Sequence, residues 1–174
     1  GSDLMTVVEP QHMRDTMRLW ASGVSIVTST LDGQHTGMTV SAFNSLSLEP
    51  PMVLVCMYKD TLTAQMVRDA GVLAINILGD DQAYLSDRFA GRIPLADGED
   101  RFDGVATISA VTGAPILSDS LAWVDCRVQA VHDGGTHWIA VGEVLATGHR
   151  DANQAPLVYF DRGYRALTLE HQKA

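Results

Sequence analysis

Hydrophobic positions along the chain fall into short runs with two different periods. Between residues 10 and 22, Met13, Met17, Trp20 and Ala21 recur at helical spacing, with Pro10 suited to a first turn and Gly23 to a stop. This predicts an amphipathic helix. Residues 24–30 are rich in β-branched side chains and predict a strand, Asp32-Gly33 a hairpin turn, and 35–43 the returning strand. A short apolar strand follows over 52–58. Residues 61–70 are helical in pattern, with Asp60 or Thr61 as cap, Leu62, Met66 and Val67 on one face and Gly71 at the end. Residues 72–78 predict a buried strand. Residues 80–90 predict a second short helix with Leu85 and Phe89 inward and two aspartates near its positive end. A loop rich in Gly, Asp and Arg spans 91–104.

The last third has the clearest strand pattern, because Ala122, Val124, Cys126, Val128 and Ala130 alternate with Asp125, Arg127 and Gln129. Asp133-Gly134-Gly135 turns the chain, 137–147 returns, and 156–169 forms a final extended segment around Tyr159, Tyr164 and Leu167. Six or seven strands joined mostly by hairpins, with few helices, predict a mainly β fold, an antiparallel barrel closed on itself rather than a doubly wound sheet.

Length changes this picture little: 174 residues suit one domain. Its expected bounds are 13–169, with 1–12 a leading segment in which Gly1-Ser2 reads as a vector-derived scar, and 170–174 a tail. A formal charge of −9 leaves no basic stripe for a phosphate backbone, so nucleic acid is not an expected partner. Cys56 and Cys126 lie far apart in apolar surroundings, which matches neither a zinc site nor a disulfide framework and reads as free thiols. No secretory leader is recognisable, and no apolar run approaches the ~18 residues of a membrane span. The expected setting is the cytoplasm, without a membrane partner.

Several chemistries find no pattern here. The chain has no G-x-S-x-G elbow, no H-E-x-x-H, no G-x-G-x-x-G and no Walker loop, so no metal is expected. Three features remain. Thr39, Ser41, Asn44, Ser45 and Ser47 put many donors and acceptors into a segment bounded by Gly37 and Pro50-Pro51; they are either ordinary strand and loop residues or the reader of a planar heterocycle's polar edge. Lys59, Thr61 and Thr63 stand at a helix start that favours an anion, or simply cap it, with Arg88 and Phe89 able to reach the same place. His137 follows the Gly134-Gly135 turn, where it either faces a cleft or sits at an exposed strand end.

Together, "GVSIVTS" (23–29), "GMTVSAFNSLSLEPPMVLVC" (37–56), "KDTLT" (59–63), "LSDRFAG" (85–91), "GGTHWIAVGEV" (134–144) and "PLVYFDRGYRAL" (156–167) closely resemble the flavin reductase-like family. These short-chain NAD(P)H:flavin oxidoreductases serve two-component monooxygenases. The resemblance spans about 13–169. It implies a split β-barrel of Greek-key type, usually a homodimer, which binds FMN or FAD and takes hydride from NADH or NADPH for delivery of reduced flavin to a partner monooxygenase. It also implies that the segment containing Thr39, Val40, Ser41, Ala42 and Asn44 lies along the isoalloxazine ring, followed by Ser45, with Cys56 closing the same motif. Lys59, Thr61 and Thr63 would hold phosphate or ribityl groups, with Ser86, Arg88 and Phe89 nearby. His137 would meet the nicotinamide, and Tyr159, Arg162 and Tyr164 would approach the flavin. One departure stands out: Thr136 occupies the position where the family's histidine motif usually carries Asp. The alternatives are a barrel that keeps its flavin as an oxidase or sensor, and a non-catalytic flavin-binding dimer.

Overall fold

The structure, a computed structural model, describes residues 5–151 and 153–169. Its elements are α1 (Pro10–Met17), β1 (Ser22–Gly23), β2 (Ser25–Leu31), β3 (Gln34–Val40), β4 (Phe43–Leu48), β5 (Pro51–Tyr58), α2 (Leu62–Ala70) and β6 (Val72–Ile77). There follow α3 (Ala83–Phe89), β7 (Thr107–Ile108), β8 (Ile116–Leu117), β9 (Ala122–Gly134), β10 (His137–His149), β11 (Leu157–Phe160) and β12 (Gly163–Ala166). The Gly1-Ser2 leader and the 170–174 tail lie outside the described residues.

Seven strands form one antiparallel sheet in the order β3-β2-β6-β9-β10-β5-β4. The two edge strands, β3 and β4, are neighbours in sequence and lie at opposite ends of the sheet. Only Ser41 and Ala42 cross between them. The barrel is therefore split rather than closed, since no ladder joins β3 to β4 among the described residues. Two small sheets, β1-β11-β12 and β7-β8, complete the fold. No described helix is long and apolar enough to cross a membrane.

Two apolar clusters hold the sheet. Val27, Val55, Met57, Leu73, Ile75 and Cys126 meet Ala64 and Val67 of α2. Helix α2 forms as its sequence predicts: Thr61 Oγ1 accepts from the Ala64 amide at 3.2 Å, and Gly71 closes the helix at φ +70°, where a side chain would be strained. On another side, Val24, Ile26, Leu78 and Leu157 pack against Leu85 and Phe89 of α3. These two helices border the open edge of β3.

Five expectations are corrected. Helix α1 is shorter than 10–22, and its apolar side stays outside the core, with Met13 54% and Trp20 74% exposed. The strand over 35–43 ends at Val40, and the hydroxyl-rich stretch after it makes β4, a separate edge strand. Asp80 and Asp81 precede α3 instead of occupying its first turn; Gln82 stands at the cap and accepts from the Gly79 amide through Oε1 at 3.0 Å. Asp125, placed outward by the alternation, is fully buried beneath 109–114, where it accepts from the amides of Val111 and Thr112 and from Thr112 Oγ1. The final segment folds back on itself as the β11–β12 hairpin, turning at Asp161 and Arg162 with both φ positive.

Candidate functional site

Strand β3 has one ladder, to β2, so half of its backbone groups face away from the sheet. Which half is fixed by Arg101, whose Nη1 donates to the Gly37 carbonyl at 3.1 Å from outside the ladder. A strand residue turns its N–H and C=O to the same side, and residues two apart agree. Gly37 and Thr39 therefore both present backbone groups to the open edge.

A groove runs along that edge. Its largest part is a cavity of about 560 Å³ lined by, among others, Thr36, Gly37, Thr39, Thr61, Thr63, Phe89, Arg101 and Phe102. It shares Thr39 and Ala90 with a smaller hollow bounded by Val24, Ser41, Ser86, Arg92, Tyr159 and Tyr164. That hollow shares Val24 and Ser41 with a third, which reaches Trp20, Phe43 and Asn44. The size and mixed lining suit a nucleotide-sized heterocyclic ligand.

Local packing explains the walls. Gly37 lies under two rings: a Cβ there would come within 3.0 Å of Phe89 and 3.3 Å of Phe102, so a side chain at 37 would intrude on the wall. Thr39 Oγ1 donates to the Ser86 carbonyl at 2.6 Å and so ties β3 to α3. The Tyr164 hydroxyl lies 2.6 Å from Asp87 Oδ1 and 2.8 Å from Ser86 Oγ, with Arg92 Nη1 reaching both Tyr164 and Asp87. Burial, reinforced by Asp87, pushes the Tyr164 phenol above its usual range. Tyr159 and Tyr164 meet edge to face at 5.8 Å. Thr63 is buried and bonds Thr36 Oγ1 at 2.8 Å.

Thus Thr39, Ser41, Asn44, Thr61, Thr63, Ser86, Phe89, Tyr159 and Tyr164 come together, while other candidates point elsewhere. Lys59 Nζ pairs with Asp133 at 2.8 Å and stands 4.4 Å from the centre of the Trp138 ring, at the β9–β10 turn. That bond, helped by the Gly135 amide, holds the Asp133 carboxyl below its usual range. The Arg88 guanidinium is occupied by the 99–103 loop: Nε donates to the Arg101 carbonyl at 2.6 Å, and Nη2 meets Glu99 Oε1 and the carbonyls of Asp100 and Asp103. Arg162 reaches back to Asp15 at 3.3 Å. Val40 packs in the core, Ser45 lies exposed on β4, and Ala42 accepts from the Cys56 amide at 2.9 Å. Burial raises the Cys56 thiol. His137 pairs across the ladder with Tyr58, their rings 5.7 Å apart, and Tyr58 in turn accepts from Thr61 Oγ1 at 2.9 Å. Its Nδ1 is 2.8 Å from Thr136 Oγ1.

Thr36, Arg92, Arg101 and Phe102 are groove residues that sequence reasoning missed. The two Arg-Phe pairs clasp each other: Arg88 bonds the Arg101 carbonyl, Arg101 Nη1 bonds the Phe89 carbonyl at 3.1 Å, and the two Phe rings meet edge to face at 5.0 Å. The repeated Arg-Phe dipeptide, at 88–89 and 101–102, was the signal available.

Comparison with known proteins identifies the family. Residues 17–168 match the family described as "Flavin reductase like domain". The chain is 32% identical over 167 residues to the reductase subunit HsaB of a flavin-dependent monooxygenase from Rhodococcus jostii, covering 96% of this chain and 83% of that protein. It is 39% identical over 157 residues to RutF 2 of Rhizobium rhizogenes, named an FMN reductase (NADH), covering 90% and 88%. Among solved structures, the NADH:FAD oxidoreductase SgcE6 of Streptomyces globisporus, in complex with NAD and FAD fragments, superposes with a TM-score of 0.84 at 26% identity, covering 97% of this chain and 100% of that one. With a family match over nearly its whole length and the split barrel to go with it, the chain belongs to the flavin reductase-like domain family.

Proposed function

We propose that the protein is an NAD(P)H-dependent flavin reductase that hands reduced FMN or FAD to a partner monooxygenase. The observation that carries this reading is the free edge of β3, with Gly37 and Thr39 turning backbone groups into a groove walled by Phe89, Tyr159 and Tyr164. Such an edge reads the polar rim of a flat ring, and the aromatic and aliphatic walls cover its faces. The groove thus fits a flavin. When bound, the flavin supplies hydride chemistry, accepting two electrons from a dihydronicotinamide.

The chain's own task is placement. Backbone amides of β3 oppose negative charge at the ring's polar rim, and Thr39 is held for this by its bond to Ser86. Thr61 and Thr63 line the groove at the start of α2, where a ribityl or phosphate group finds hydroxyls and the positive helix end. His137, linked to Thr61 through Tyr58, is the candidate for nicotinamide contact. Thr136 bonds its Nδ1 in place of an acid; a carboxylate would demand Nδ1–H, whereas a hydroxyl accepts either tautomer. The active unit is read as a homodimer. The exposed Met13, Met17, Leu19 and Trp20 near α1 and Leu46 and Leu48 on β4 support this, since such apolar surface is typical of a covered face. Two free cysteines support a cytoplasmic setting.

Thr39→Trp tests the groove. The side chain fills it without entering the core, so flavin fluorescence quenching and NADH-dependent flavin reduction are expected to vanish in a variant with unchanged circular dichroism. Full flavin affinity in that folded variant removes β3 from the site.

A further inference from the structure

Resting on the flavin reading, we propose that Arg101 is the phosphate anchor of the site. Among the described residues, the hydrogen bonds of its guanidinium leave from Nη1, to the carbonyls of Gly37 and Phe89, each at 3.1 Å. Nε and Nη2 have no hydrogen-bond partner among the described residues. That pair of groups is the side-on fork that meets a phosphate or carboxylate with two parallel bonds. Two carbonyls on the other nitrogen hold the plane fixed, so the fork is oriented before a ligand arrives. Arg101 also lines the large end of the groove, the end that contains Thr61 and Thr63.

Arg88 does not line that cavity, and its own Nε and Nη2, the same side-on fork, are engaged by the 99–103 loop. Of the three carboxylates lining the same cavity, Glu99 is engaged by Arg88 and the Ala96 amide, and Asp100 accepts from the Phe102 amide. Among the described residues that line the cavity, Arg101 is the one arginine or lysine, which makes its guanidinium the site's main attraction for an anionic group.

Riboflavin, FMN and FAD separate the phosphate from the ring. In the native protein FMN is expected to bind about 10- to 100-fold more tightly than riboflavin, as a bidentate charged pair implies. Arg101→Met is expected to bring FMN down to riboflavin's affinity while riboflavin binding stays the same. Arg101→Lys, which keeps the charge and one carbonyl bond, is expected to fall between, and serves if Arg101→Met does not fold. An unchanged ratio of FMN to riboflavin affinity in the variants overturns the proposal, as does an equal loss for both ligands, which would mark Arg101 as a wall residue only. A loss confined to FAD also overturns it, since it places the contact beyond the first phosphate. Failure of the native protein to bind any of the three would instead sink the flavin reading itself.

Discussion

Replacing Arg88 with Met tests whether this residue builds the groove's outer wall. The side chain keeps its aliphatic length and loses every donor. Three of the lost bonds are to main-chain carbonyls, at Arg101 (2.6 Å), Asp100 (3.0 Å) and Asp103 (3.1 Å), and all come from a largely buried guanidinium. Bonds from a charged donor contribute roughly 1.5–3 kcal/mol each, but Nη2 divides two hydrogens among its acceptors and the freed carbonyls regain water, so the net loss is about 2–4 kcal/mol. The exposed Glu99 partner is left out of that sum. At roughly 2–4 °C per kcal/mol for a chain of this size, the melting temperature should fall by on the order of 10 °C. Hydrogen exchange should quicken over 91–104, and because the loosened wall carries Arg101, riboflavin should weaken and FMN should weaken more. A melting temperature within about 2 °C of the native protein's, taking the estimate from the same scaling, would refute the reasoning.

Other outcomes follow from the same contacts. Tyr164→Phe removes the bonds to Asp87 and Ser86 that latch the β11–β12 hairpin to α3; a loss of about 1–2 kcal/mol in denaturant unfolding is expected, and an unchanged midpoint would show the latch to be idle. Burial, with Asp125 beside it, pushes the Cys126 thiol up to about 12. The folded state thus holds that proton more tightly than the unfolded chain does, so its contribution to stability is complete below about pH 8.5 and is withdrawn as pH climbs towards the folded value. A thiol reagent at pH 8 should leave Cys126 unlabelled until denaturant is added and label the half-buried Cys56 first; equal rates for both would contradict this burial.

The sequence made the long strands and α2 legible because their signals are local. Alternation along β9, the Asp32-Gly33 and Gly134-Gly135 turns, and the Thr61 and Gly71 caps each act within a few residues. Strand β4 escaped because "FNSLSL" carries little of the apolar pattern of a buried strand. As an edge strand it leaves Leu48 83% exposed and gains its place from the β5 ladder alone. Asp125 misled for a related reason: its face of β9 is covered by 109–114, a segment with no periodicity to announce that it would return there.

The site divides in the same way. Thr39, Ser41, Thr61 and Thr63 were found because hydroxyls cluster in sequence at the strand end and the helix start. Arg88 was placed at the ligand because its position on α3 is visible in the sequence, whereas the carbonyls that occupy it come from a loop twelve to fifteen residues further on. Arg101 is the converse. It sits in that irregular loop, and only the fold brings it against Gly37 and Phe89. Lys59 turned away because the β9–β10 hairpin brings Asp133, seventy-four residues distant in sequence, within 2.8 Å of its Nζ.

The central claim is most directly tested by following the nicotinamide absorbance band with purified protein, supplying NADH or NADPH together with FMN, FAD or no flavin. The account predicts steady oxidation that requires added flavin and rises with its concentration until the groove is saturated. Binding of flavin without any nicotinamide oxidation, under every pairing, would contradict it.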